Sequence, residues 1–176
     1  KALAVPLDNR KECTVTVEEA AKGRGEIVVE DVVGFGSISC SGEVVPGDSL
    51  FAAKTRVIQF ILQKEKITFD SLRVRCVFSR NRVPKGTGGS ASAFAALALA
   101  LCTAFGIPFS KQKLFEAVQA GEEVAHGGRA SGIDAHTVLS EQPQKFCKEF
   151  HGKDIEFHFD DAKLALPSGT VLIVIN

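Results

Sequence analysis

The chain has 176 residues and carries 21 Lys plus Arg against 21 Asp plus Glu, so its formal net charge is zero. A balanced chain lacks the positive field that nucleic acid or an anionic membrane surface demands, and no stretch reaches the roughly 18 uninterrupted apolar residues of a membrane span. Five scattered cysteines (Cys13, Cys40, Cys76, Cys102, Cys147) without a C-x-x-C pair fit reduced thiols in a cytoplasmic protein better than a disulfide framework.

The length suits one domain, residues 1–176, with a hydrophobic core. Ala2-Leu3-Ala4-Val5 reads as the middle of a buried strand, and Val171 to Ile175 as an apolar strand that stops without a partner. The expectation is therefore a piece of a longer protein. Short β-prone runs follow at Cys13 to Val17, Glu26 to Glu30 and Gly36 to Cys40, punctuated by Gly23, Gly25, Gly34 and Gly36. Asp48 opens a helical pattern whose apolar face runs through about Lys64. From Ser71 to Ser79, Leu72, Val74, Cys76 and Phe78 alternate with Arg73 and Arg75, which predicts a half-exposed strand of an antiparallel or mixed sheet. A loop, Arg80 to Gly89, runs into Ala93 to Leu101, a segment apolar on nearly every side that must be a buried helix. Pro108 and Ser110 start another helix to about Ala125. Gly127-Gly128-Arg129-Ala130 breaks it, and a short helix runs from Ser131 to Ser140. Strands near Lys145 to Phe150 and Ile155 to Phe159 precede the last apolar run. Strands, helices, then strands again predict an α+β domain with a mixed β-sheet.

Two tracts carry the chemistry. Pro84-Lys85-Gly86-Thr87-Gly88-Gly89-Ser90-Ala91-Ser92 places glycines directly before the buried helix. Glycine lets backbone approach a ligand closely, and the helix behind it turns free N–H groups and a positive dipole end toward that spot. Phosphate suits such a place, and the Ser90 or Ser92 hydroxyl could reach a phosphate-bound Mg²⁺. The bland alternative is a tight turn with Ser90 as N-cap. No G-x-x-x-x-G-K-[ST] occurs. Gly86-x-Gly88-x-x-Ala91 satisfies a dinucleotide fingerprint literally, but the preceding strand is half exposed and no strand ending in an acid follows the helix.

The second tract, Gly121 to Asp134, holds three carboxylates (Glu122, Glu123, Asp134), His126 and four glycines within 14 residues. Locally these could be solvated helix residues and a capping-box-like Ser131-x-x-Asp134. Phosphoryl transfer would ask a carboxylate to hold Mg²⁺ and another to face the acceptor hydroxyl.

Together the tracts resemble the galactokinase, homoserine kinase, mevalonate kinase and phosphomevalonate kinase (GHMP) superfamily, within it most closely the mevalonate kinases. The first matches the family's P-x-x-x-G-L-G-S-S-A loop and the second its G-E-x-x-x-H-G-x-P-S-G-x-D block, through Gly121-Glu122, His126-Gly127 and Ser131-Gly132-Ile133-Asp134. The resemblance implies the fold of the family's N-terminal domain, ATP and Mg²⁺ as cofactors, and an alcohol acceptor, mevalonate in the leading case. It implies Asp134 as the catalytic aspartate, Glu122 and Ser90 as metal-linked residues, and the backbone from Gly86 to Ser92 as the triphosphate cradle. Another GHMP kinase (phosphomevalonate kinase, galactokinase) or a non-catalytic nucleotide-binding module is the alternative, and a homodimer is allowed for. This chain has one extra residue between His126 and Asp134, which makes Glu123 a rival to Glu122. It lacks the central Leu of the loop, which makes Ser92 a rival to Ser90, and Ala130 stands where the family has Pro. The family's N-terminal P-G-K motif and later G-x-G-x-G-G motif are absent, so the chain as it stands is expected not to turn over substrate by itself.

Overall fold

A computed structural model describes residues 2–4, 12–31, 34–47, 49–79, 88–140, 143–151 and 154–161. Eight strands and four helices follow one another as β1 (Ala2–Ala4), β2 (Cys13–Glu19), β3 (Glu26–Asp31), β4 (Gly34–Ser39), β5 (Val44–Val45), α1 (Phe51–Lys64), β6 (Leu72–Phe78), α2 (Gly89–Ala104), α3 (Lys111–Ala125), α4 (Ile133–Ser140), β7 (Gln144–His151) and β8 (Asp154–Asp161). Five strands form a mixed sheet in the order β2-β6-β3-β4-β5, and three form a small sheet in the order β1-β7-β8. β6 runs antiparallel to β2 and parallel to β3, so α1 lies on the crossover that a parallel neighbour requires.

The alternation in β6 decides which face of the sheet is covered. Val74, Cys76 and Phe78 are buried beneath the helices, in register with Ile27 and Val29 of β3. Arg73 and Arg75 point the other way. Arg75 makes a two-pronged pair with Glu30, Nε to Oε1 and Nη2 to Oε2 both at 2.8 Å, and Arg73 reaches Glu26 at 3.8 Å. These pairs are solvated and screened by salt, so they add little. The sheet's stability comes from its inner face.

α2 is the centre of the helical layer and packs on α1, α3, α4 and β2. Phe94, Leu97, Ala98, Leu101 and Cys102 are fully buried, as an all-apolar helix requires. One flank stays open, with Leu99 42% exposed. α1 and α3 meet over this layer and are tied at one end by ion pairs, Lys64 with Glu116 and Lys113 with Glu65 at 2.7 Å. Gly121 of α3 sits where the three helices touch. A Cβ there would lie 2.6 Å from Val57 Cγ2 and 2.9 Å from Phe94 Cδ2, so only glycine admits this spacing.

Within the described residues the expected elements are present with adjusted ends. α1 starts at Phe51 behind Leu50 rather than at Asp48, which lies outside the described residues. The two-residue edge strand β5 was not expected, because Val44–Val45 is too short to show a period. The strand expected at Val171 to Ile175 lies outside the described residues, as do Pro84, Lys85, Gly86 and Thr87.

Candidate active site

The C-terminus of α3, the start of α4 and the N-terminus of α2 meet in one place. α2 and α3 both pack on α4. The chain enters α2 through Gly88, whose φ of 68° is left-handed, and a Cβ there would come 4.0 Å from Val138 Cγ2 of α4. Gly88 therefore carries the chain into the helix in a conformation that other residues adopt only with strain. It is Gly88, not Ser90, that occupies the N-cap position. No side chain caps this end, and Ser92 N–H to Gly88 C=O at 2.9 Å is the first helical bond. The amides of Gly89, Ser90 and Ala91 precede that bond, so this turn presents N–H groups and the positive end of the helix dipole.

α3 ends in a motif that explains its paired glycines. Gly128 N–H donates to Glu123 C=O at 2.6 Å and Gly127 N–H to Val124 C=O at 3.3 Å, with Gly127 at φ 61°. This is a Schellman ending, which needs a left-handed residue just past the helix. Gly128 (φ 78°) and Gly132 (φ 79°) then carry the chain back toward α4. Gln119 Nε2 donates to Ala130 C=O at 3.2 Å and fastens the turn onto α3. Ser131 Oγ accepts from Ile133 N–H at 3.4 Å, a long bond, and His136 N–H to Gly132 C=O at 2.9 Å begins α4.

Within this frame Glu122 is the singular side chain. It is a carboxylate only 3% exposed, on the last turn of α3. His126 Nε2 lies 3.3 Å from its Oε2, the i,i+4 neighbour on the helix. The other oxygen, Oε1, receives no hydrogen bond of full geometry from any described residue. The Ser90 hydroxyl stands close enough to act on the same carboxyl from the first turn of α2. Burial pushes the Glu122 pKa above its usual value, Ser90 and His126 pull it down, and the negative charge of Asp134 raises it again. A buried carboxylate oxygen without a donor is costly unless a ligand or cation completes it. That feature, beside a serine hydroxyl and the uncapped helix end, fits an oxygen-seeking cation such as Mg²⁺. Among the described residues no three His, Cys, Asp or Glu side chains cluster as a metal cage. Mg²⁺ bound with phosphates and water uses one or two carboxylates, so the donor set is of the right kind.

Glu122, His126, Arg129, Ala130, Ser131, Gly132, Asp134 and Ala135 line a cleft of about 110 Å³. Asp134 is exposed to it at the start of α4. The structure thus brings together Ser90, Glu122 and Asp134, three of the residues named from sequence. Glu123, the rival of Glu122, is exposed and does not line the cleft, because it sits one residue round the helix. Gly88, Gly89, Ser90, Ala91 and Ser92 form the start of α2. Arg129 was read only as part of a helix break, and its place in the cleft was missed. The extra residue in the turn was the available signal.

The descriptive model of GHMP kinases N terminal domain matches residues 54–141. No curated protein matches the chain. Among solved structures, L. major mevalonate kinase in complex with R-mevalonate is similar with a TM-score of 0.58 at 18% identity, over 84% of this chain and 42% of that one. Methanococcus jannaschii mevalonate kinase gives 0.57 at 15% identity, over 86% and 46%. Lactococcus lactis galactokinase complexed with galactose gives 0.54 at 12%, over 88% and 40%. The chain thus spans less than half the length of each, and the likeness extends to kinases of different acceptors.

Proposed function

This chain belongs to the GHMP kinase family, carrying its N-terminal domain, and we propose that the intact protein is an ATP-dependent phosphotransferase that phosphorylates an alcohol, with mevalonate to 5-phosphomevalonate as the leading reaction. The observation that carries the reading is Glu122: a buried carboxylate with one oxygen left open, near Ser90 at an uncapped helix end and lining one cleft with Asp134. Mevalonate leads because mevalonate kinases recur among the similar structures.

In this reading the first-turn amides of α2 hold phosphate oxygens of the nucleotide. Asp134 accepts the proton of the acceptor hydroxyl as its oxygen bonds to the γ-phosphorus, the bond to the bridging oxygen breaks, and ADP leaves. Glu122 and Ser90 would hold Mg²⁺, which when bound supplies positive charge against the phosphate oxygens. His126, within reach of Glu122, orients that carboxylate. We place the protein in the cytoplasm, because its scattered cysteines form no disulfide. No helix among the described residues is long and apolar enough to cross a membrane.

The test is ADP release by the intact protein over mevalonate, phosphomevalonate, homoserine and galactose, repeated with Asp134→Asn. The expected result is turnover of mevalonate that the substitution lowers by about 10²–10⁴-fold, with ATP affinity little changed. Near-normal turnover in Asp134→Asn would remove that residue from the mechanism, and ATP binding without turnover of any alcohol would leave a nucleotide-binding module.

A further inference from the structure

Arg129 lines the cleft with Glu122 and Asp134, yet among the described residues it makes no ion pair with either carboxylate or with any other acid. Its turn is not loose: the Schellman ending fixes one side, and the Gln119 bond to Ala130 C=O holds the residue that follows it. A guanidinium on an anchored turn, facing a cleft and not spent on neighbouring acids, is available to a ligand. Its planar fork matches an oxyanion in a two-pronged fashion that lysine cannot copy.

Resting on the phosphotransferase reading, we infer that Arg129 receives the carboxylate of the acceptor, so that the substrate is a hydroxy acid rather than a neutral sugar. Two carboxylates in the cleft repel an anionic acceptor, and a cation at the rim offsets them; a neutral sugar would need none. The other available oxyanion is a nucleotide phosphate. Position and size favour the acceptor. Arg129 and Asp134 line the same cleft, whereas no described residue of the uncapped α2 end lines it. A cleft of about 110 Å³ also falls below the roughly 300–1,000 Å³ of drug-sized ligands, which suits a small acid better than a nucleotide.

The experiment compares the intact wild-type protein with Arg129→Gln and Arg129→Lys. KM is measured for ATP, for mevalonate and for the neutral triol in which its carboxylate is reduced to an alcohol, and mevalonate binding without ATP is measured by calorimetry. Arg129→Gln is expected to raise KM and Kd for mevalonate by about 10- to 100-fold and to leave both the ATP and the triol KM within about twofold. Arg129→Lys should recover part of the loss. Unchanged mevalonate binding in Arg129→Gln overturns the inference, as does an equal loss for the triol, or a loss confined to ATP, which would assign the guanidinium to a phosphate. Preference of the wild-type protein for a neutral sugar overturns it too. Mevalonate binding that depends on Arg129 in a protein that phosphorylates no alcohol would instead keep the anion site and discard the phosphotransferase reading.

Discussion

Glu122 shows how a single residue can be placed against its own stability. Its folded-state pKa lies above the ordinary 4.5, chiefly through burial, so the folded protein holds the proton more tightly than the unfolded chain does. The sign follows from linkage: the stability associated with that proton is full below the unfolded value and is lost as pH rises through the folded one. Glu122→Gln, which is neutral at every pH, should therefore melt above the native protein at pH 7 when Mg²⁺ and nucleotide are withheld. The gap should close as pH falls toward 4.5. Melting curves over that range check it, and a variant less stable at pH 7 would show that the carboxylate is well compensated in the fold. The cysteines give a second residue-scale expectation. Burial pushes Cys13 up to about 12 and Cys76 higher still. The thiolate is the reactive form, so neither should be alkylated in the native protein at pH 8, as mass spectrometry of digested fragments would reveal. Rapid labelling of Cys76, which is 0% exposed, would mean that the β6 face opens.

At the scale of elements, the site depends on how closely three helices approach. Gly121 lets α3 lie against Val57 of α1 and Phe94 of α2, and the next residue is Glu122. Replacing Gly121 by Ala would gain about 1 kcal/mol of helix propensity. Against that, the new methyl meets two buried side chains inside van der Waals distance, and overpacking of this kind costs about 1–3 kcal/mol. The second effect is larger where both neighbours are themselves confined, so Gly121→Ala should lower the unfolding free energy of the intact protein by a net of up to about 2 kcal/mol. A neutral or stabilising result would mean that α3 can shift outward without loss. Much of this level was legible in the chain. The alternation Val74, Cys76, Phe78 announced one buried face of a strand, and the unbroken apolar run after Ser92 announced a central helix, because both periods follow from backbone geometry. Gly121 was not legible as a packing residue, since nothing local says which side chains will face a missing Cβ. Nor was Gly88 as the N-cap: a run of glycines does not reveal which one takes the left-handed conformation.

For the whole molecule, the cleft is lined by one continuous stretch, Glu122 to Ala135, and helix packing brings Ser90 to Glu122 from a distant part of the chain. Ser90 and Asp134 both act on Glu122 only because α2, α3 and α4 pack on one another. The residue types and their spacing indicated the chemistry, and the resemblance supplied the pairing of tracts. The choice of Glu122 over Glu123 needed the fold, because only burial separates two adjacent glutamates on a helix end. Arg129 needed it as well, since a charged residue in a turn carries no signal until the cleft beside it exists.

The measurement that bears most directly on this account is a crystal structure of the intact protein with Mg²⁺ and a non-hydrolysable ATP analogue. The account predicts Mg²⁺ at about 2.0–2.1 Å from a Glu122 carboxylate oxygen, with Ser90 beside it, phosphate oxygens against the first-turn amides of α2, and the Asp134 carboxylate facing the γ-phosphate. A nucleotide bound elsewhere, with Glu122 still sealed away from metal and phosphate, would contradict it.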